Sequence, residues 1–125
     1  MEIDVTVLMV ARNRAVSLPT DLVHLEHQTY PAARFEILVV DDGSTDDTAG
    51  VLQRYAAGAQ VATRLVRQEG GGPVKAWNLG LAEARGRWLL FLHPDLVASP
   101  HLVERHVEAH RAAGEGAAIV GAIAP

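Results

Sequence analysis

The run Ile37-Leu38-Val39-Val40-Asp41-Asp42-Gly43-Ser44-Thr45 restricts the fold of this chain more than any other stretch. Four aliphatic residues in succession, closed by two acids, a glycine and two hydroxyls, predict a strand covered on both faces, as in an α/β domain. Ser44 and Thr45 then suit a helix N-cap, and Ser44 with Asp47 fits a capping box. Asp46 and Asp47 add negative charge at the positive helix end. Asp41 and Asp42 are therefore expected at a strand-to-helix turn, where open α/β sheets bind ligands beyond the carboxyl ends of their strands.

The rest of the chain repeats the pattern. Ile3 to Val10 reads as a first strand, followed by the polar turn Ala11-Arg12-Asn13-Arg14. Ser17 and Pro19 open a helix whose inward face is Leu18, Leu22 and Leu25, and Gln28-Thr29-Tyr30-Pro31 closes it. A second helix turns Val51, Leu52 and Tyr55 inward, and Val61 to Val66 is a third strand. Gly70-Gly71-Gly72-Pro73 leads into a helix with an apolar face of Val74, Trp77, Leu81 and Ala84, which places Trp77 in the core; Gly86 stops it. Trp88 to Leu92 is a fourth strand ending at His93-Pro94-Asp95. Ser99 and Pro100 begin a last helix to about Ala113, and Ala117 to Ile123 reads as a fifth strand. Alternating strands and helices imply a mostly parallel sheet.

Composition narrows the function classes. The 125 residues suffice for one domain, and 49% apolar content excludes a disordered chain. A net charge of −4 gives no basis for nucleic-acid binding, and the absence of cysteine removes thiolate chemistry and disulfides. No segment approaches membrane-spanning length, so a soluble cytoplasmic protein is expected. The pair His106 and His110, at i and i+4, has a zinc-compatible spacing, but Glu108 is misplaced for H-E-x-x-H and a solvated polar face is expected. Lys75 after the glycines superficially suggests a phosphate loop, yet G-x-x-x-x-G-K-[ST] is absent.

Taken together, Asn13-Arg14, Gln28-Thr29-Tyr30-Pro31, Val39-Val40-Asp41-Asp42-Gly43-Ser44, Gly71-Gly72-Pro73, Asn78-x-Gly80-Leu81 and Ala84-Arg85-Gly86 resemble the donor-binding half of family 2 glycosyltransferases. The resemblance implies a GT-A fold, a Rossmann-like three-layer α/β/α sandwich, here truncated after about five strands. Residues 1–125 would form a single nucleotide-sugar-binding domain without the acceptor-binding half. It further implies transfer of a sugar from a nucleotide-diphospho-sugar donor to an acceptor hydroxyl, with inversion. Donor contacts map onto Ala11, Arg12, Asn13, Asp41, Asp42, Gly72, Lys75, Asn78 and His93. No catalytic base is assigned, because in the family it lies in the second half.

The chemistry accounts for these residue types. A departing nucleoside diphosphate accumulates negative charge, which a hard divalent cation on carboxylate oxygens neutralises. The family uses a D-x-D motif after the fourth strand; this chain has His93-Pro94-Asp95. Asp95 remains as the metal ligand for Mn²⁺ or Mg²⁺, and the imidazole of His93 suits Mn²⁺ better. The usual proline and tyrosine of the first loop are Val10 and Arg12 here, and Trp77 stands where an arginine is common. The alternative is a non-catalytic nucleotide-binding or protein-interaction domain derived from the same fold. A sheet ending here would also leave an edge open to homodimer formation.

Overall fold

The computed structural model describes residues 2–93 and 98–113. Strand β1 (Val5–Ala11) is followed by helix α1 (Leu18–Glu26), a 3-10 turn (Ala32–Arg34) and strand β2 (Phe35–Asp42). Helix α2 (Thr48–Gly58), strand β3 (Ala62–Gln68), helix α3 (Pro73–Glu83), strand β4 (Trp88–Phe91) and helix α4 (Leu102–Ala113) complete the order. The four strands are parallel in the order β3-β2-β1-β4. All eight residues of β2 are buried, as its continuous apolar run requires. The expected fifth strand, Ala117 to Ile123, and the metal ligand Asp95 lie outside the described residues.

Strand alternation divides the core into two layers. Val5, Val7, Met9, Phe35, Ile37 and Val39 point to one face, where they meet Leu18, Leu22 and Leu25 of α1, Leu52 of α2, and Val103 and Val107 of α4. Leu8, Leu38 and Val40 point to the other, beneath Ala76 of α3. Helices thus cover both sides of the parallel sheet, as the α/β/α reading expects. The Gln28-Thr29-Tyr30 segment fastens α4 to this frame. The Gln28 amide donates to the Ser99 carbonyl at 2.7 Å and accepts from the Val103 N–H at 3.0 Å, while the Tyr30 hydroxyl donates to Asp4.

Three local expectations are corrected. Helix α3 does not bury Trp77, which is 46% exposed beside the half-exposed ring of Phe91. Its buried residues are Ala76 and Gly80, flanked by the partly buried Leu79 and Ala84, because the helix backbone comes so close to the sheet that a Cβ on Gly80 would lie 2.4 Å from Leu8 Cδ1. Ser44 is not the cap of α2. That helix starts at Thr48, and its first N–H donates to the Asp46 carboxylate at 3.0 Å. The histidines of α4 are not solvated: both are buried.

At the amino end of β2 a buried carboxylate organises the junction of three elements. Glu36 accepts from Thr6 Oγ1 at 2.7 Å, from Arg64 Nε at 2.9 Å and from the Arg85 N–H at 2.9 Å. Burial alone would raise the Glu36 carboxyl, but these hydrogen bonds and the Arg64 charge outweigh it and hold it below the usual carboxylate range. The next amide, Gly86 N–H, donates to Thr6 Oγ1 at 2.9 Å, and a Cβ on Gly86 would meet Thr6 N at 2.4 Å. Only glycine permits that approach. Glu36→Ala strands a guanidinium, a hydroxyl and an amide at once, so urea denaturation should show a loss of about 3–5 kcal/mol.

The α4 histidines form a second buried polar cluster. His106 Nε2 donates to the Leu89 carbonyl at 3.1 Å and lies 3.0 Å from His110 Nε2; the His110 ring stacks on Trp88. Burial, and then the neighbouring His110, push the His106 imidazole below the ordinary histidine value. The unfolded chain therefore binds a proton below about pH 6.5 that the folded chain refuses. Stability is full above that pH and falls beneath it, by about 1.4 kcal/mol per pH unit for one proton, until the lowered folded value is reached. The Glu36 carboxylate contributes loss only below its unfolded value of 4.5. Denaturation midpoints at pH 7 and pH 5 should differ accordingly, and His106→Gln, which keeps a donor for Leu89, should flatten the slope.

Candidate functional site

Period-two alternation sends the two acids at the carboxyl end of β2 to opposite faces. Asp41, in register with Ala11, is 0% exposed. Its Oδ1 accepts the Ser44 N–H at 3.0 Å and its Oδ2 faces Arg67 Nη1 at 3.3 Å. Arg67 also donates to the Ser44 carbonyl and pairs with Glu69, so the Asp41 carboxylate is committed within the chain. Asp42 is in register with Gln68, and its Oδ1 accepts from Gln68 Nε2 at 2.8 Å. The second oxygen of Asp42 makes no hydrogen bond among the described residues.

The loops after β1 and β2 are stitched together. Asn13 takes a left-handed backbone, φ 55°, which an asparagine tolerates better than most residues. Its N–H donates to Ser44 Oγ at 2.9 Å, and its side-chain carbonyl accepts the Thr45 N–H at 2.8 Å and the Asp46 N–H at 3.3 Å. Arg14 N–H donates to Thr48 Oγ1 at 2.9 Å. Ser44, expected to cap α2, instead receives the first loop. The polar groups of Asn13 thus fix the mouth of the sheet in shape.

On the other side of Asp42 lies a glycine turn. Gly70, Gly71 and Gly72 all have positive φ, a run that side chains would disfavour. The turn also abuts Gly43, where an added Cβ would sit 2.9 Å from Gly70 N. Gly72 is the N-cap of α3, its carbonyl accepts from Gln68 Nε2 at 3.3 Å, and Pro73 follows at the helix start. Lys75 is exposed and runs alongside Gly71. Asn78, in the second turn of α3, is exposed, and its side chain makes no hydrogen bond among the described residues. Arg12 is exposed just past β1 and, among the described residues, pairs with no acid. His93 is exposed two residues past β4. Ala11, Arg12, Asn13, Asp41, Asp42 and His93 thus stand at or just past the carboxyl ends of β1, β2 and β4, Gly72, Lys75 and Asn78 open α3, and Gln68 links Asp42 to Gly72.

This arrangement offers an acceptor, Asp42, on the same face as the first turn of α3, with exposed cations at Lys75 in that turn and at Arg12 just past β1. Among the described residues no three histidine or acidic side chains meet in a metal-holding group. They do not by themselves fit a resident divalent cation. Sequence reading misses Gln68 and Arg67, because ending the third strand at Val66 leaves both in a loop. The strand runs to Gln68 and so aligns these residues with Asp41 and Asp42.

Comparison with known proteins shows the family and the fold. The family model described as Glycosyl transferase family 2 matches residues 6–124. Glycosyltransferase AglE of Haloferax volcanii is 31% identical over 117 residues, 94% of this chain and 38% of AglE. Poly(ribitol-phosphate) beta-N-acetylglucosaminyltransferase TarS of Staphylococcus aureus is 35% identical over 77 residues, 61% of this chain and 13% of TarS. The chain thus spans less than half the length of these curated relatives. Among solved structures, TarS 1-349 in complex with UDP-GlcNAc superposes with a TM-score of 0.77 at 27% identity, covering 85% of this chain and 30% of that one. The mannosyltransferase PcManGT from Pyrobaculum calidifontis, in complex with GDP-Man and Mn²⁺, gives 0.73 at 28% identity, covering 80% and 30%. With the family model matching residues 6–124 of the 125 and a shared α/β architecture, the chain belongs to glycosyl transferase family 2.

Proposed function

We propose that this domain binds a nucleotide-diphospho-sugar and presents its anomeric carbon for transfer to an acceptor hydroxyl, with inversion. The observation that carries the reading is Asp42: a buried acid at a strand end with one oxygen held by Gln68 and the other uncommitted. A carboxylate in that state accepts hydrogen bonds from a nucleoside, and the α3 amino end with Lys75 and Arg12 suits the diphosphate. Binding of UDP-GlcNAc by TarS and of GDP-Man by PcManGT supports the same ligand class. Asp41 contributes by holding the Ser44 turn through its own hydrogen bonds. Asn13 likewise shapes the mouth, while Ala11, Gly72, Asn78 and His93 border the donor.

In the reaction the acceptor oxygen attacks the anomeric carbon opposite the leaving group. The bond from that carbon to the diphosphate oxygen breaks, and the hydroxyl proton passes to a base outside the residues assigned above. A divalent cation, where used, would draw Asp95 and phosphate oxygens into its ligand set, since the described residues alone form no such group. A cytoplasmic location fits a nucleotide-sugar donor, and among the described residues no helix is long and apolar enough to cross a membrane.

Titration calorimetry with UDP and GDP, with and without Mn²⁺, tests the reading; failure of a folded sample to bind either sinks it. Asp42→Asn should weaken binding by about tenfold or more, the effect of a charged hydrogen bond. Asp41→Asn should instead lower stability by about 1–3 kcal/mol and leave the affinity of the folded fraction within about threefold.

A second reading, nucleotide or partner binding without transfer, is favoured by His93-Pro94-Asp95 in place of D-x-D. Sugar transfer by a chain carrying Asp95→Ala at the wild-type rate would remove Asp95 from the first reading. Transfer of sugar from any donor by this chain would overturn the second. Homodimer formation fits β4, which among the described strands pairs only with β1 and carries the 51%-exposed Phe91. Light scattering should then show a mass that rises with concentration.

A further inference from the structure

Gln68 is an expensive residue to bury where it stands. It is 7% exposed, and its Nε2 donates both to Asp42 Oδ1 at 2.8 Å and to the Gly72 carbonyl at 3.3 Å. These two acceptors fix which way the amide points, because reversing it would set the amide oxygen against the Asp42 carboxylate. Oε1 is consequently forced to a side where it is closed off from water and accepts no hydrogen bond. An unmet buried acceptor destabilises the fold, and an apolar side chain of similar length would avoid it. The amide is therefore accounted for by its nitrogen, which adds a side-chain bridge between Asp42 and the Gly72 carbonyl.

We propose that Gln68 is the positioning residue of the donor site, holding the Asp42 carboxylate and the Gly70–Gly72 turn in one arrangement so that nucleoside and diphosphate are received together. The inference rests on the donor-binding reading given above and deepens it. Asp42 faces the nucleoside, Gly72 begins the helix that faces the phosphates, and one side chain binds them both. Apart from the close approach of Gly43 to Gly70, little packs on the run of positive-φ glycines: Gly70 and Gly72 have open space where a Cβ would stand. Without the Gln68 donor the Gly72 carbonyl loses its side-chain tie to Asp42, and the acid loses the contact that orients its free oxygen.

Isothermal titration of UDP and GDP between pH 5 and pH 8, on the wild-type chain, Gln68→Glu and Gln68→Met, tests this. Gln68→Glu sets a second carboxylate against Asp42, so binding at pH 8 should be weaker than wild type by about tenfold or more. At pH 5 the two acids share a proton that restores a donor between them, and the deficit should narrow to within about threefold. Gln68→Met supplies no donor at any pH, and its deficit of about tenfold should stay constant. The surrounding charges, Asp41 and Glu69 on Arg67, Lys75 beside Gly71 and Arg12 past β1, are common to all three chains. The ratio to wild type therefore isolates the contact between positions 42 and 68. Wild type that binds while both variants match it within twofold overturns the positioning role alone. Wild type that binds neither nucleotide overturns the donor reading and this inference with it. Should Gln68→Glu fail to fold, the constant deficit of Gln68→Met decides.

Discussion

Two buried acids on one face of β2 set the position of α3, and the rest of the site depends on that placement. Glu36 and Asp42 stand at opposite ends of the strand and, separated by six residues, point the same way. Glu36 takes the Arg85 N–H just past the end of α3. Asp42 reaches the start of α3 through Gln68 and the Gly72 carbonyl. Between these ties Ala76 and Gly80 let the helix backbone lie directly on Leu8 and Leu38. A helix held at both ends and packed by small residues has little freedom to slide. Its amino end is thereby fixed against the mouth of the sheet.

The two ends differ in how completely their polar groups are satisfied. Glu36 is met by a hydroxyl, a guanidinium and a backbone amide, with Gly86 admitted to the same junction by the lack of a side chain. At the other end Asp42 has one donor, Gln68 has an oxygen without any, and three successive glycines keep a left-handed backbone. The amino end is thereby closed on itself, while at the carboxyl end the second oxygen of Asp42 is left without a partner among the described residues.

Much of this was legible in the sequence, and the reasons are local. The continuous apolar run of Ile37 to Val40 could only be a strand covered on both faces, and Leu18, Leu22 and Leu25 could only be a helix stripe. Asp41 and Asp42 at the strand end followed from the same pattern. What was not legible depended on distances between elements. Trp77 looked like core because large apolar residues at helical spacing usually are, but the close approach of α3 fully buries only Ala76 and Gly80, with Leu79 and Ala84 packed at the edge. His106 and His110 looked solvated because nothing local announces the carbonyl of Leu89 or the ring of Trp88. Gln68 escaped because its importance lies wholly in its register with Asp42.

The division of labour between Asp41 and Asp42 follows from the same register. Two adjacent acids at a strand end look equivalent as a sequence, yet the pleat must turn one towards each face. Asp41 falls on the side of α1 and α2, where the Ser44 amide and Arg67 consume its oxygens and no water reaches it. A carboxylate so neutralised holds the turn after β2 in shape, and that turn in turn receives Asn13 and closes the first loop against the second. Asp42 falls on the side of α3, beside the polar side chain that β3 aligns with it, and keeps an oxygen to give. A shift of one residue in the length of β2 would reverse these roles. The site therefore depends on strand register as much as on the identity of its acids.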